Sequence, residues 1–551
     1  MDSIIGIPTL SDVIVRHQQN LSLTATRRRD LVSAVDRMSQ ITGADLGSTP
    51  ASPQSMRPLI KAVRPAQHDL TPKTWANLRS NFRAALVQPM PRKWKHVDPE
   101  WDALRAALPD RRMRIGLSRF IGFCISQGIV PNEVCDAVVD RFRAHLESDT
   151  QVPDPNACHR TTCRVWNKAG ETVSGWPQLR LSLPDYRRPR QSTPITSFPS
   201  SLQEEFTAYI DSLRGGDLFA EKGAQKAMAP STVRQREVEL GLALSALVAS
   251  GRDTTSITSL ACLVESAAFT AILRRYVTDK NKPRPFAHNL AWTLTSLARR
   301  WVKLDPALLG ELEELRKCLG DQPKRLTEKN RRLLNTLDDP AVRAKLFVLP
   351  DRLANWAERA PPMRGAIAMQ IAVAVAILQH APLRIANLAG MRLDRHLVRP
   401  GGPKSLWQID IPPEEVKNDQ ALTYELPRRV TALLDRYIRR FRPSLAEPGN
   451  QYLFPVGSRH KRPHALSQQI RQALADWVGI HMTPHQFRHF AGRLMQQHSP
   501  GAFGAITQLL GQKDIRTAIR YYSGVDTLSA GRHFDAILEA ERNNMRLRGR
   551  R

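Results

Sequence analysis

The chain reads HQFR at 485–488 and LLGQ at 509–512, with Tyr521 nine positions after the glutamine. His485 and Arg488 follow a Thr-Pro pair that favours a helix start, and residues three apart share a helix face. A helix N-terminus also attracts anions. The stretch therefore predicts a basic pair presented to a phosphate, followed by a tight glycine turn and a tyrosine.

Two further cations precede this stretch. Arg384 follows an apolar helical stretch and lies among leucine and isoleucine residues, where a buried guanidinium needs an anionic partner. Alternating runs at 407–411 and 422–426 predict a β-hairpin with Lys417 near its tip. Taken singly, each feature has a structural explanation: an internal salt bridge for Arg384, a solvated loop for Lys417 and a core position for Tyr521.

In this order and spacing, the features resemble the tyrosine recombinase (phage integrase) family. The resemblance covers about 330–545 and implies a catalytic domain, in a fold that is mainly α with a small β-hairpin or sheet (α+β). The helical segment 201–325 resembles that family's core-binding domain less specifically. The implied function is that of a site-specific DNA recombinase or integrase from a bacterial mobile element, which cleaves and rejoins DNA through a 3′-phosphotyrosine.

The resemblance implies a role for each matching residue. Arg384 and Arg488 would hold the non-bridging oxygens of the scissile phosphate, and His485 would support the same phosphate. Lys417 would protonate the departing 5′ oxygen as general acid, and Tyr521 would attack the phosphorus. A free tyrosine has a pKa of about 10, so it needs nearby positive charge or a base to attack at neutral pH.

Three positions complicate this assignment. Gln512 stands where the family usually has His or sometimes Trp; its amide can donate to a phosphate oxygen but cannot titrate. Asn387 stands where the family commonly has Glu or Asp. Tyr522 adjoins Tyr521, but adjacent helical residues point about 100° apart and the spacing favours Tyr521. We interpret His489, beside Arg488, as structural support.

The composition indicates a polyanionic partner. Lys and Arg number 81 against 52 Asp and Glu, which gives a formal net charge of +29 and favours nucleic acid over an anionic membrane. The hydrophobic fraction of 42% is sufficient for packed cores. The longest apolar run, 366–378, is too short to span a bilayer and contains Gln370. With scattered cysteines and no secretory signal, we expect a cytoplasmic, nucleoid-associated protein without a membrane partner.

Helical and breaker-rich stretches predict the domain organisation. We expect a weakly ordered N-terminal segment at 1–60, an N-terminal helical module at 61–150, a linker rich in Pro, Ser, Thr and Arg at 151–200, a helical core-binding (DNA-clamp) domain at 201–325, the catalytic domain at 330–545 and a basic tail at 546–551. The helical modules and the catalytic domain would enclose a duplex as a positively charged clamp.

The resemblance implies no cofactor and no metal. It also implies that the strands are rejoined without ATP, because a covalent phosphotyrosine preserves the energy of the broken bond. The implied partners are double-stranded DNA, a homotetramer in the synaptic complex, and accessory DNA-bending or element-encoded proteins. Two alternatives remain open. Gln512 and Asn387 are the sequence support for a catalytically decayed architectural or regulatory DNA-binding protein. A type IB topoisomerase-like enzyme would share the chemistry.

Overall fold

The computed structural model describes residues 8–86, 98–148, 150, 152–186, 192–215, 219, 222–278, 283–320, 326–522, 531, 534–535 and 537–539. Within these ranges the chain is mainly helical with two small antiparallel sheets, so the predicted α+β class is confirmed. The chain divides into two units, one formed by residues 1–185 with 325–551 and the other by residues 186–324.

The first four helices form one small core. They are α1 (Leu10–Gln19), α2 (Ala25–Thr42), α3 (Pro53–Ala62) and α4 (Pro72–Leu86). Their apolar faces bury Val35, Met38 and Phe82. The expectation of weak order at 1–60 is therefore wrong for residues 8–60, since the breaker-rich stretch there only joins α2 to α3. Helix α4 begins at Pro72, directly after Thr71.

The next four helices form a separate aromatic core. They are α5 (Pro99–Ala107), α6 (Arg111–Gln127), α7 (Asp136–Ser148) and α8 (Pro155–Thr172). Trp166 of α8 is fully buried and packs edge-on against Phe120 of α6. The expected linker at 151–200 is therefore wrong over α8. Asp154 caps this helix and Pro155 begins it, while its apolar face supplies the module with core residues.

The unit at 186–324 is all helical where it is described. Its helices are α9 (Ser200–Gly215), α10 (Pro230–Ala249), α11 (Ser266–Arg274), α12 (Pro285–Leu297) and α13 (Pro306–Lys317). They share one core, in which Leu240, Leu244, Phe269 and Leu294 are buried. The apolar side chains of α10 therefore face this core.

The remaining helices and strands lie between residues 328 and 522, and the long helix at 362–380 supplies much of their core. They are α14 (Glu328–Asp338), α15 (Pro340–Phe347), α16 (Leu349–Ala357), α17 (Pro362–His380), α18 (Ile385–Ala389), α19 (Arg428–Arg436), α20 (Pro463–Trp477), α21 (Gln486–His498), α22 (Phe503–Leu509), α23 (Ile515–Tyr522), β1 (Leu397–Val398), β2 (Gln408–Ile411), β3 (Leu422–Glu425), β4 (Pro455–Val456) and β5 (Arg459–His460). Among the described helices, α17 alone is long and apolar enough to cross a membrane, and 67% of its most apolar window is buried. Its apolar side chains belong to the core of this part of the chain.

The predicted hairpin is present. Strands β2 and β3 pair antiparallel, with Ile409 opposite Tyr424 and Ile411 opposite Leu422. A short strand that we did not predict, β1, extends the sheet on the β2 side. Lys417 lies in the turn between β2 and β3, as the sequence pattern indicated.

Candidate active site

Arg384 lies at the junction between α17 and α18. It occupies the N-cap position of α18, and its side chain is partly buried. Its Nη1 atom is buried and has no hydrogen-bond partner among the described residues. Burial lowers the pKa of this guanidinium. A cation that is partly withdrawn from water, with a donor still free, is suited to bind an anion.

Arg488 joins three distant parts of the chain. It lies in the first turn of α21 and is only 5% exposed. Its Nη1 donates to the carbonyl of Pro382 at 2.8 Å, and its Nη2 donates to the carbonyl of Leu510. Helix α21 begins at Gln486, later than the Thr-Pro pair suggested, so His485 is its N-cap residue. These contacts fix the Arg488 guanidinium between the Arg384 segment and the LLGQ turn.

The LLGQ turn depends on its glycine. Gly511 has φ +52°, a backbone conformation that favours glycine, and a Cβ atom there would clash with the Leu422 side chain. The turn is bonded to the hairpin: Tyr424 Oη donates to the Leu509 carbonyl at 2.7 Å. The Oε1 atom of Gln512 is buried without a hydrogen-bond partner among the described residues.

Tyr521 lies in the last turn of α23. Its side chain packs on a small core formed by Ile506, Leu510 and Ala518. The centre of its ring is 6.0 Å from that of His489, which in turn is 5.3 Å from that of His485. Residue 522 ends α23, but the side chain of Tyr522 lies outside the described part of the structure. The comparison between the two tyrosines therefore stays a prediction.

Five of the six candidate residues line one cavity of about 560 Å³. They are Arg384, His485, Arg488, Gln512 and Tyr521. Lys417 is not among the lining residues; it is exposed in the hairpin turn, next to Asn418, which does line the cavity. The fold thus brings residues from four separated stretches together around one space.

The loop that carries Lys417 is anchored on both sides. Asn387 Nδ2 donates to the Glu415 carbonyl at 2.9 Å, and Asn418 Nδ2 donates to the Gly511 carbonyl at 2.8 Å. Val416 is buried in the core. Lys417 itself therefore projects from a short segment whose neighbours on either side are fixed.

Arg384 and Arg488 both influence the pKa values of neighbouring side chains at the cavity. Burial lowers the pKa of His485, and Arg488 and Arg384 lower it further. Burial raises the pKa of Tyr424, while the same two arginines oppose that change. The pKa of His489 is lowered to about 4 by burial, His485 and Arg488. Both histidines are therefore neutral at pH 7, and each has an unprotonated ring nitrogen that can accept a hydrogen bond.

Sequence reasoning did not identify several residues of the cavity. Thr327 and Asn330 of the α14 segment line it, as does Lys513, whose Nζ is 2.8 Å from Asp419 Oδ2. Asn330 also accepts a hydrogen bond of 2.8 Å from Gln486. No local pattern marks these residues, because their partners are distant in the sequence. Within the described ranges, no group of three or more His, Cys, Asp or Glu residues could hold a metal.

Part of the chain is similar to known proteins. Residues 351–527 match the phage integrase family. The solved structure of XerA recombinase is 14% identical, with a TM-score of 0.26, and the match covers 61% of this chain and 98% of that chain. The post-cleavage complex of XerH site-specific recombinase with palindromic difH substrate is 13% identical, with a TM-score of 0.30, over 60% of this chain and 95% of that chain.

No curated protein matches the chain significantly. Because the TM-scores are low, the assignment depends on the family match, whose range contains all six candidate residues. Residues 351–527 belong to the phage integrase family, and the chain therefore contains a tyrosine recombinase domain.

Proposed function

We propose that the protein is a site-specific DNA recombinase that cleaves and rejoins DNA through a 3′-phosphotyrosine, and that a bacterial mobile element encodes it. The observation that carries the proposal is the shared cavity, which places Tyr521 with the Arg384 and Arg488 side chains. Two guanidinium groups can pair with both non-bridging oxygens of one phosphate and stabilise the additional negative charge of the transition state.

In the proposed cleavage step, the Tyr521 phenol oxygen bonds to the phosphorus and the bond to the 5′ oxygen breaks. Lys417 gives a proton to that oxygen, which leaves as a 5′ hydroxyl. The phenol proton passes to a neutral base, and His485 fits this role because its lowered pKa keeps it unprotonated at pH 7. Gln512 donates its amide N–H to the phosphate. Attack of a 5′ hydroxyl on the phosphotyrosine reverses the step and rejoins the strand without ATP.

The proposal extends to the assembly. Four protomers would bring two duplexes together and exchange one pair of strands at a time, assisted by accessory DNA-bending or element-encoded proteins. The unit at 186–324 would serve as the core-binding domain, and the high positive charge would make binding fall steeply with salt. The protein would act in the cytoplasm, on the nucleoid. The expected basic tail at 546–551 lies outside the described residues.

The test is covalent capture on a nicked suicide substrate. Fragments that the protein binds specifically are first selected from the DNA surrounding its gene, and a nick is placed so that the released strand diffuses away. We expect a covalent protein–DNA adduct that Tyr521→Phe abolishes and Tyr522→Phe retains. The reverse pattern would move the nucleophile to Tyr522.

Two other outcomes would replace the proposal. Tight, specific binding without an adduct on any selected fragment would favour the catalytically decayed regulator, which the glutamine at 512 and the asparagine at 387 make a reasonable second candidate. Relaxation of an arbitrary supercoiled plasmid, without a specific site, would favour a type IB topoisomerase-like enzyme.

A further inference from the structure

A second cavity, of about 470 Å³, lies between α3, α4 and α20 and shares no lining residue with the candidate active site. Its lining includes five cationic side chains: Arg57, Lys61, Arg64, Arg79 and Arg83. Among the described lining residues, Asp476 is the one that carries a carboxylate. The cavity therefore has a strong excess of positive charge.

Two of these cations crowd one another. Arg79 Nε is buried without a hydrogen-bond partner among the described residues, and its guanidinium carbon lies 5.5 Å from the centre of the Trp75 ring. Burial lowers the pKa of Arg83, and the nearby charges of Arg79 and Arg119 lower it further. A lowered arginine pKa means that the local environment disfavours the positive charge.

The other polar residues of the lining do little to neutralise this charge. Asp476 accepts a hydrogen bond of 2.8 Å from Gln472 on its own helix. His481 Nε2 accepts from Arg64 Nε at 2.8 Å, and burial and Arg64 lower the pKa of His481, so it is neutral at pH 7. A single carboxylate cannot balance the surrounding arginines and lysine.

We propose that this cavity binds a phosphate group of a nucleotide. Guanidinium groups pair with phosphate oxygens two at a time, and a dianion would offset the repulsion between Arg79 and Arg83. Apolar lining from Ile60, Pro72 and Trp75 leaves a surface for the sugar or base. Either a free nucleotide or a DNA strand would supply this chemistry.

The position of the cavity gives its ligand a structural consequence. Its walls come from the N-terminal helices and from the tyrosine recombinase domain. These parts also contact each other directly: Gln67 Nε2 donates to the Gly479 carbonyl at 2.9 Å, and Lys345 Nζ lies 2.7 Å from Asp69 Oδ1. A phosphate bound by the cations of α3 and α4 would lie against α20, add to these contacts and stabilise the folded protein.

The experiment measures binding of pyrophosphate, ATP and a DNA duplex to the full chain by calorimetry, with the unfolding temperature as a second readout. If the ligand is a free nucleotide, ATP and pyrophosphate should bind and raise the unfolding temperature. The double variant Arg79→Gln/Arg83→Gln should then weaken the binding of both anions by at least about tenfold. If the ligand is a DNA strand, the small anions should bind weakly. The same double variant should then reduce the slope of log duplex affinity against log salt concentration by about 2.

Two further variants keep the test decisive. Lys61→Gln changes an exposed side chain of the lining, so it should fold normally and weaken the same ligand by a smaller factor. Arg439→Gln, an exposed arginine outside the cavity, should bind as wild type. Adduct formation by Arg79→Gln/Arg83→Gln on the suicide substrate is measured separately, so that failure of this proposal is distinguished from failure of the proposed function. If the double variant and Lys61→Gln both bind every probe like wild type, the cavity is not a phosphate site.

Discussion

The side-chain amide of Asn418 donates a hydrogen bond of 2.8 Å to the backbone carbonyl of Gly511. This bond joins the turn of the β2–β3 hairpin to the LLGQ turn. On the other side of the hairpin turn, Asn387 bonds to the Glu415 carbonyl. Lys417 lies between these two anchors, so the position of the proposed general acid depends in part on two asparagine amides.

Loss of the Asn418 bond should slow cleavage without preventing folding. A single hydrogen bond contributes about 1 kcal/mol, so we expect Asn418→Ala to reduce the single-turnover rate of adduct formation roughly fivefold. Thr423→Val is the matched control, because the Thr423 hydroxyl donates to Asp410 on the exposed part of the same hairpin. Equal rates for the two variants would show that this anchor does not position Lys417.

The glycine of the LLGQ turn should be irreplaceable. Gly511→Ala combines a positive φ with a clash against Leu422, and we expect a loss of about 2 kcal/mol or more in the free energy of unfolding. Gly504→Ala is the control: it lies inside α22 with nothing within 4 Å of the new Cβ, and it should stabilise the helix by up to about 1 kcal/mol. Urea denaturation of both variants measures the difference, and similar stabilities would contradict the proposed strain.

The motif residues could be predicted from the sequence, whereas their supports could not. His485, Arg488 and Gln512 occur at recognisable spacings, and the match extends to Arg384. Asn418 gives no such signal, because an asparagine is common in any turn and its partner is 93 residues away. Physical contact across that distance is set by tertiary packing.

Asn387 departs from the family pattern but has a definite contact in the structure. From the sequence, its missing charge is support for the catalytically decayed alternative, although an asparagine can still form hydrogen bonds. In the structure its Nδ2 donates to the Glu415 carbonyl, which an ionised carboxylate could not do. The amide therefore has a defined structural partner.

The error over α8 has a different origin. The Pro, Ser and Thr content of residues 151–200 suggested a linker, but Asp154 and Pro155 are also a strong helix start. Cys163 and Trp166 lie on the buried face of that helix. Composition received more weight than helical periodicity, and periodicity was the better guide.

The Arg384→Ala and Arg488→Ala variants should differ in stability but lose similar amounts of cleavage activity. Arg488→Ala leaves the carbonyls of Pro382 and Leu510 without their donors, and we expect a loss of about 1–3 kcal/mol in unfolding free energy. Arg384→Ala removes a buried donor that has no described partner, so its stability should change little. Both should slow adduct formation about 100- to 1,000-fold.

Arg439→Ala, on a different helix and 75% exposed, is the control for both arginine variants. Binding of intact duplex, measured at one fixed salt concentration, should remain close to wild type in all three proteins. Wild-type cleavage rates in both Arg384→Ala and Arg488→Ala would overturn the site assignment. If Arg488→Ala and Arg384→Ala had equal free energies of unfolding, the structural role of Arg488 would be contradicted.

The buried histidine of the cavity should make the fold sensitive to acid. His489 is flanked by His485 and Arg488 on α21 and by Tyr521 on α23, and its pKa is lowered to about 4. In the unfolded chain the pKa is about 6.5. Between pH 4 and pH 6.5 His489 binds a proton in the unfolded state but not in the folded state. The contribution of neutral His489 to the free energy of unfolding is therefore fully present above pH 6.5 and decreases as the pH falls towards 4.

Replacement of His489 by glutamine should therefore flatten the dependence of stability on pH. One group of this kind changes the free energy of unfolding by at most about 1.4 kcal/mol per pH unit, which is large enough for urea denaturation to detect between pH 5 and 7. His498→Gln, at the exposed end of the same helix, should leave the slope unchanged. Wild type, His489→Gln and His498→Gln share the other buried histidines, so the difference in slope between wild type and His489→Gln measures the contribution of His489 alone. A slope that is identical in His489→Gln and wild type would mean that His489 binds the same number of protons in the folded and unfolded states, which would contradict its lowered pKa.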